Sequence, residues 1–114
     1  MITIKRIYEQ AEDEDGYRIL VDRLWPRGLS QKKAKVELWL KEIAPSGELR
    51  KWFSHDPDKW EEFKKKYGQE LLAKQPLLKE IRKMETQEGK VTLLFSARDN
   101  EHNNAVVLKA ILEK

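Results

Sequence analysis

Residues 19–28, ILVDRLWPRG, place Asp22, Arg23, Trp25 and Arg27 directly after a short apolar run. Surface loops usually carry Lys, Glu, Ser and Gly, so Trp beside Arg is unusual there. The planar guanidinium group of arginine makes paired hydrogen bonds to carboxylates and phosphates. The stretch therefore predicts a binding site for an anionic ligand.

Similar side chains follow two other predicted strands, Val91–Ala97 and Val36–Leu40. The carboxyl ends of parallel strands meet at one edge of a sheet, and ligands of open α/β sheets bind there. We therefore expect one rim to gather these groups. The candidate ligand-binding residues are Arg23, Trp25, Arg27, Ser46, Arg50, Trp52, His55, Arg98 and Asn103.

Three residues of this rim are candidates for moving protons: Asp22, Asp99 and His102. His102 opens the last predicted helix, whose positive dipole end favours a neutral imidazole that can act as a general base. Hydrolysis or group transfer is the reaction class that these residues suit. The spacing of Asp and His predicts no metal site, and we expect no cofactor.

Structural roles explain several of these residues equally well. Asp22 and either Arg23 or Arg98 would form an ion pair that fastens two strand ends. Trp25 and Trp52 are more often parts of a core than platforms for a ligand.

Helix boundaries offer further structural explanations. Ser46 precedes a predicted helix and suits its N-cap position. His55 precedes the helix start at Asp56 and Pro57, where it would orient the turn.

Strand-like and helix-like segments alternate along the chain. A short unbroken apolar run such as Ile19–Val21 is typical of a strand covered on both faces. The pattern predicts a single layered α/β domain over residues 1–114, with a largely parallel sheet of about four strands flanked by helices. The predicted strands are 2–8, 19–21, 36–40 and 91–97, and residues 26–35 are predicted as a loop. Helices are predicted after Ser46, from Pro57, from Pro76 to Gly89, and from His102 onward.

Composition narrows the class of protein. The 114 residues include no cysteine, which excludes disulfides, thiolate nucleophiles and cysteine-based zinc sites, and suggests a reducing cytoplasm. The N-terminal segment has no apolar core typical of a signal peptide, and no apolar run predicts a membrane span. The net charge of +3 is mild, and most Lys alternate with Glu as on a solvated helix face.

Two functions follow from the residues. The first is an enzyme or ligand-binding domain whose rim holds a small phosphorylated or carboxylated molecule of the nucleotide type. The second is a non-enzymatic module that binds nucleic acid or protein, in which aromatics beside Arg stack on bases. We favour the small anionic molecule over nucleic acid, and the sequence leaves the oligomeric state open.

Three segments in order, LVDRLWPRGLS, WLKEIAPSGELRKWFSHDPDKWEEFKKKY and LLFSARDNEHNNAVVL, closely resemble the YeaO-like proteins of domain-of-unknown-function family 488. The resemblance covers nearly the whole chain. It implies an α/β fold and a small cytoplasmic bacterial protein without an established activity. Where the wider family has cysteine and additional His and Arg near the last motif, this chain has Phe95, Asn103, Asn104 and Ala105. The matching motif residues are Asp22, Arg23, Trp25, Pro26, Arg27, Gly28, Ala44, Pro45, Ser46, Leu49, Arg50, Trp52, Phe53, His55, Asp56, Asp99, His102 and Asn103.

Overall fold

A four-stranded sheet with all strands parallel forms the centre of the computed structural model, which describes all 114 residues. The strands lie in the order β1-β4-β2-β3, so β1 and β3 are the edges. The predicted α/β class and the parallel sheet of four strands are confirmed. The strand bounds are β1 Ile2–Arg6, β2 Tyr17–Leu20, β3 Leu38–Trp39 and β4 Val91–Phe95.

Five α-helices and three short 3-10 helices complete the fold. The α-helices are α1 Gln31–Ala34, α2 Gly47–Phe53, α3 Trp60–Leu72, α4 Gln75–Glu88 and α5 Asn104–Leu112. The 3-10 helices span Asp13–Asp15, Lys41–Ile43 and Pro57–Lys59. None of the helices has the length and apolar character needed to cross a membrane.

Both faces of the sheet are covered, which explains the unbroken apolar runs in its central strands. All five residues of β4 are buried. Odd-numbered side chains such as Ile19 and Leu93 belong to the main core, to which α2, α3, α4 and α5 contribute apolar residues. Even-numbered Leu20 and Leu94 lie in a smaller cluster with Ala34 of α1.

Helix boundaries follow the predicted capping residues. The Leu49 backbone N–H donates to Ser46 Oγ at the start of α2, and the Asp58 N–H donates to Asp56 Oδ1. Pro57 begins the 3-10 helix that leads into α3. Gly89 ends α4 with φ of 81°, a left-handed conformation that glycine adopts without strain.

Two segments near the β3 edge of the sheet differ from the sequence prediction. The predicted loop 26–35 contains the single-turn helix α1, capped by the Ser30 hydroxyl. The predicted strand 36–40 is reduced to Leu38–Trp39, because this edge strand pairs with β2 only through Ile19 and Leu20.

The remaining differences lie beside the predicted rim. β1 ends at Arg6 instead of Tyr8, and β4 ends at Phe95 instead of Ala97. The last helix begins at Asn104 with Asn103 as its N-cap, so His102 precedes the helix instead of opening it.

Candidate functional site

A cleft of about 1020 Å³ lies at the carboxyl ends of the strands. The segments that follow β1, β2 and β4 line it, together with α2 and the residues before α5. In parallel sheets this edge is the usual place for a ligand. Gly28, with φ of 76°, turns the loop after β2 and lies beside the cleft residue Arg27.

Arginine dominates the charge of this cleft. Five of the seven Arg line it, whereas none of the sixteen Lys does. Only two carboxylates, Asp22 and Asp99, share the lining with these five guanidinium groups. The cleft is therefore strongly positive when the two His are neutral. The five are Arg6, Arg23, Arg27, Arg50 and Arg98.

Three of these guanidinium groups have no partner within the protein. Arg27, Arg50 and Arg98 are exposed, and their side chains form no hydrogen bond or salt bridge. At Arg27 the carbonyl oxygen accepts a hydrogen bond from the Tyr8 hydroxyl at 2.8 Å, and the guanidinium group is not involved. These three side chains are free to meet a ligand.

The other two guanidinium groups are held more closely. Arg6 Nε donates to the carbonyls of Ser96 and Ala97 at 3.3 and 3.1 Å, and its guanidinium stacks on the Tyr8 ring at 4.6 Å. Arg23 makes only long hydrogen bonds, 3.4 and 3.5 Å, to the carbonyls of Ala44 and Pro45. Its Nε is buried and has no hydrogen-bond partner.

Asp22 joins two strand ends through neutral donors. Its Oδ2 accepts hydrogen bonds from the backbone N–H and the hydroxyl of Ser96, both at 2.8 Å. Burial raises the pKa of Asp22 above its usual value, against the opposing effects of Ser96, Asn104 and the Arg50 charge. The proposed ion pair with Arg23 or Arg98 is wrong, because no cation lies within 4.0 Å of this carboxylate.

Asp99 and His102 form a second polar pair in the cleft. His102 Nδ1 lies 2.8 Å from Asp99 Oδ2, and Asp99 Oδ1 accepts the backbone N–H groups of Glu101 and His102. The hydrogen bond from the Glu101 backbone, followed by that from His102, lowers the pKa of Asp99. The Trp60 ring meets the imidazole edge-on at 5.2 Å. These contacts hold the imidazole in one orientation.

Apolar and aromatic side chains form the walls. Trp25 is anchored by its indole N–H, which donates to the Leu29 carbonyl at 2.6 Å, and its ring meets Trp39 edge-on. Phe53 and Phe63 stack on each other at 4.3 Å. Because Phe53 and Phe63 are almost fully buried, the accessible aromatic surface of the cleft comes from Tyr8 and Trp25, beside the charged donors.

Two predicted ligand-binding residues lie outside the cleft. Ser46 and Trp52 line a separate groove of about 510 Å³. Ser46 donates its hydroxyl and backbone N–H to the Glu70 carboxylate and also caps α2. The Trp52 ring is covered by the ammonium groups of Lys59 and Lys66.

The remaining predicted residues lie within the cleft, but two have other roles. Asn103 is buried. Its amide N–H₂ donates to the Asp99 carbonyl and its amide oxygen accepts from the Val106 N–H, so both ends of the amide are already bonded within the protein. His55 is exposed, adopts a left-handed φ of 58°, and lies near the Phe53 ring.

The sequence prediction missed four polar residues of the cleft: Arg6, Tyr8, Ser96 and Asn104. Arg6 is the last residue of β1 and pairs with Phe95, the last residue of β4. Extending both predicted strands by two residues placed Arg6 and Ser96 inside them. The end of β1 follows from this pairing with β4, for which the local sequence offers no signal. No group of three or more His, Cys, Asp or Glu is arranged to hold a metal ion.

Comparison with known proteins supports the resemblance seen in the motifs. A family model described as the inactive DUF488-N3 subclade matches residues 1–114. An uncharacterized protein of Mycobacterium tuberculosis strain H37Rv is 39% identical over 111 residues, covering 97% of this chain and 92% of that protein. The uncharacterized protein YeaO of Escherichia coli K12 is 42% identical over 107 residues, covering 94% of this chain and 92% of that protein. No solved structure matches.

Proposed function

Since the chain belongs to the DUF488-N3i family, the inactive DUF488-N3 subclade, we propose that its cleft binds a small phosphate-bearing ligand of the nucleotide type without converting it. The observation that carries this proposal is the distribution of Arg and Lys between the cleft and the rest of the surface. Five Arg and no Lys line one cleft, and three of these Arg have no partner within the protein. Guanidinium groups suit fixed, paired hydrogen bonding to phosphate, whereas lysines suit solvated helix faces.

The weakly held guanidinium of Arg23 supports the same function. Its Nε is closed to solvent, but the side chain is 33% exposed, and its terminal nitrogens make only long contacts, of 3.4 to 4.0 Å, with Ala44, Pro45 and Glu42. These terminal nitrogens remain open to stronger acceptors on a ligand. Phosphate oxygens are such acceptors. The aromatic walls supply surface for the apolar part of a nucleotide.

Binding without turnover agrees with the composition and with the family description. The chain has no cysteine for a thiolate nucleophile, and the subclade is described as inactive. The Asp99–His102 pair favours a second candidate, hydrolysis or group transfer, because a carboxylate that orients an imidazole is a common general-base arrangement. Incubation of the protein with nucleotides and analysis for products separates the two candidates. Binding without turnover predicts no product, and product that disappears in His102→Ala would establish the second.

A third candidate is a module that binds single-stranded nucleic acid. The exposure of Arg27, Arg50 and Arg98 favours it, because exposed cations can also follow a phosphodiester backbone. The salt dependence of the affinity for an oligonucleotide distinguishes this candidate from the first.

Isothermal titration calorimetry tests the proposal directly. The wild-type protein should bind AMP, and Arg50→Ala or Arg98→Ala should weaken binding by about 10-fold or more, since a hydrogen bond to a charged group contributes about 1.5–3 kcal/mol. Arg82→Ala is the matched control, because Arg82 lies on α4 and outside the cleft. Equal affinities of all variants, or no binding of any nucleotide or of inorganic pyrophosphate, would overturn the proposal.

A further inference from the structure

Asp22 is a carboxylate without an ion pair in a cleft lined by five guanidinium groups. Its hydrogen bonds come from neutral donors, the backbone N–H and hydroxyl of Ser96, with Asn104 beside it, while the Arg50 charge acts on it only from beyond 4.0 Å. Burying a charge with no ionic partner is unfavourable for folding. The arrangement therefore calls for an explanation beyond stability.

The structural role of Asp22 does not require a charge. One oxygen, Oδ2, accepts both hydrogen bonds from Ser96 and so ties the end of β2 to the end of β4. An asparagine carbonyl accepts the same two hydrogen bonds without the cost of a buried charge. What a carboxylate adds is a second, strongly accepting oxygen beside the cleft.

A phosphate repels this carboxylate, so the part of the ligand next to Asp22 must be a donor of hydrogen bonds. The guanidinium groups of the cleft favour an anionic group on another part of the same ligand. The half-buried ring of Trp25 in the cleft lining favours a planar group between these two ends. The ligand therefore needs an N–H donor, a planar ring and a phosphate group. A nucleotide whose base carries an amino group has all three.

On the basis of the proposed function, we infer that the occupant is an adenine or cytosine nucleotide, and that Asp22 is the specificity-determining residue that accepts a hydrogen bond from the exocyclic amino group of its base. Adenine and cytosine present such an amino group, whereas hypoxanthine and uracil present a carbonyl oxygen at the same ring position. A carbonyl at that position would place two acceptors against each other, and the neighbouring ring N–H of hypoxanthine or uracil would meet Asp22 only after the base had shifted in its site. Sites that hydrogen-bond a ligand group discriminate strongly against analogues that lack it.

The test compares two matched pairs of ligands, AMP with IMP and CMP with UMP, by calorimetry on the full chain at pH 7.5. Within at least one pair, the amino-bearing member should bind about 10-fold more tightly or better, because the hydrogen bond to a charged acceptor is lost in the other. Equal affinity within both pairs, or preference for the carbonyl members, would overturn the inference.

Asp22→Asn sharpens the test. Its amide oxygen can keep the hydrogen bonds from Ser96, which turns the amide N–H₂ toward the cleft. The variant should therefore lose the preference for the amino-bearing member and favour IMP or UMP instead. An unchanged preference in a folded Asp22→Asn protein would contradict the inference, and the wild-type ratios decide alone if the variant does not fold.

Failure of this inference is distinguishable from failure of the proposed function. If Arg50→Ala weakens AMP and IMP equally and wild type binds both equally, phosphate binding stands and the role of Asp22 is wrong. If neither nucleotides nor inorganic pyrophosphate bind, both are wrong. Arg82→Ala should leave the AMP-to-IMP ratio at its wild-type value.

Discussion

The carboxylate of Asp22 links stability to pH in a direction that distinguishes it from most surface acids. Because burial raises its pKa in the folded state above the usual 3.8, its ionisation opposes folding. Below 3.8 the group is protonated in both states and has no effect. As pH rises through the raised pKa, the folded protein loses stability relative to a chain with a neutral group there.

Asp22→Asn should therefore be at least as stable as wild type at pH 7, with the difference disappearing as pH falls toward 3.8. Urea unfolding of both proteins across this pH range measures the difference in the free energy of unfolding. Arg23 and Arg50 are left unchanged in both proteins, because their charges also act near this site. A variant that is less stable than wild type at pH 7, yet equal to it at pH 3.5, would show that the charge stabilises the fold.

Arg27 illustrates a side chain that the fold does not need. It is exposed, and only its carbonyl oxygen is bonded, to the Tyr8 hydroxyl, which any residue at this position retains. Arg27→Ala should change the free energy of unfolding by no more than about 0.5 kcal/mol. The same variant should bind AMP more weakly by about 10-fold. Denaturant unfolding and calorimetry on one sample give both values, and a large loss of stability would mean that Arg27 is a structural residue.

At the scale of elements, the opposite end of the sheet shows what an arginine with a structural role looks like. The Arg18 side chain is buried in an ion pair with Asp15 and donates to the Ala34 carbonyl. Lys5 Nζ bonds the same carboxylate at 3.1 Å. This network links β1, β2, α1 and the 3-10 helix Asp13–Asp15, and it lies outside the cleft.

Removal of the shared carboxylate should be costly. Asp15→Ala leaves the buried Arg18 without its anion, and we expect a loss of about 3–5 kcal/mol in the free energy of unfolding. Asp13→Ala, in the same 3-10 helix but exposed, is the control and should cost about 0.5 kcal/mol or less. Similar losses in both variants would contradict this role.

The pH dependence of the same carboxylate has the usual sign. Burial alone would raise the pKa of Asp15, but hydrogen bonds from the Glu12 backbone, Lys5 and Arg18 outweigh burial and lower it. Its contribution to stability is therefore present above pH 3.8 and is lost as pH falls through the lowered pKa. Asp15→Ala should lose this part of the acid sensitivity.

The sequence predicts the elements well where a local signal marks their ends. Ser46, Asp56 and Gly89 have side chains or conformations that act within one turn, so their helix boundaries are readable from the chain. The ends of β1 and β4 are set by pairing between strands 89 residues apart, as between Arg6 and Phe95. No local signal fixes such an end, and the membership of Arg6 in the cleft was missed for this reason.

The site residues, too, are predictable where their position follows from the strand ends and unpredictable where it depends on tertiary packing. The gathering of Arg23, Arg27, Arg50 and Arg98 at one rim follows from the parallel sheet, which the sequence pattern predicts, and from the strand order, which it does not. The placement of Ser46 and Trp52 in a different groove depends on how α2 packs on α3, through Glu70 and Lys66. That packing is a tertiary property, and residues only a few positions apart on α2 consequently face different surfaces.

At the scale of the whole molecule, the charge of the cleft comes from Arg alone, since no Lys lines it. Seven Arg and sixteen Lys give a net charge of only +3 against twenty Asp and Glu, yet five Arg converge on one cleft. The local field at the cleft therefore exceeds what the net charge suggests.

Because the excess positive charge is confined to one cleft, we expect a modest salt dependence for a mononucleotide and no strong attraction for long nucleic acid. For an oligonucleotide, the logarithm of the affinity would fall by about 0.7 per phosphate contact per decade of salt. We expect AMP to bind with a shallow salt slope and a 20-nucleotide single strand to bind no more tightly than AMP. Tight, steeply salt-dependent binding of the oligonucleotide would favour the nucleic-acid module instead. Fluorescence titrations between 50 and 500 mM salt measure both slopes.

The most direct test of the anion cleft is a side-chain NMR titration that observes the Nε–Hε groups of all seven Arg while AMP is added. The account predicts shifts at Arg23, Arg27, Arg50 and Arg98, with a further shift at Arg6, and none at Arg18 or Arg82. Inorganic pyrophosphate should shift the same set. Shifts spread evenly over all seven, or no shift in the five cleft residues at saturating AMP, would contradict it.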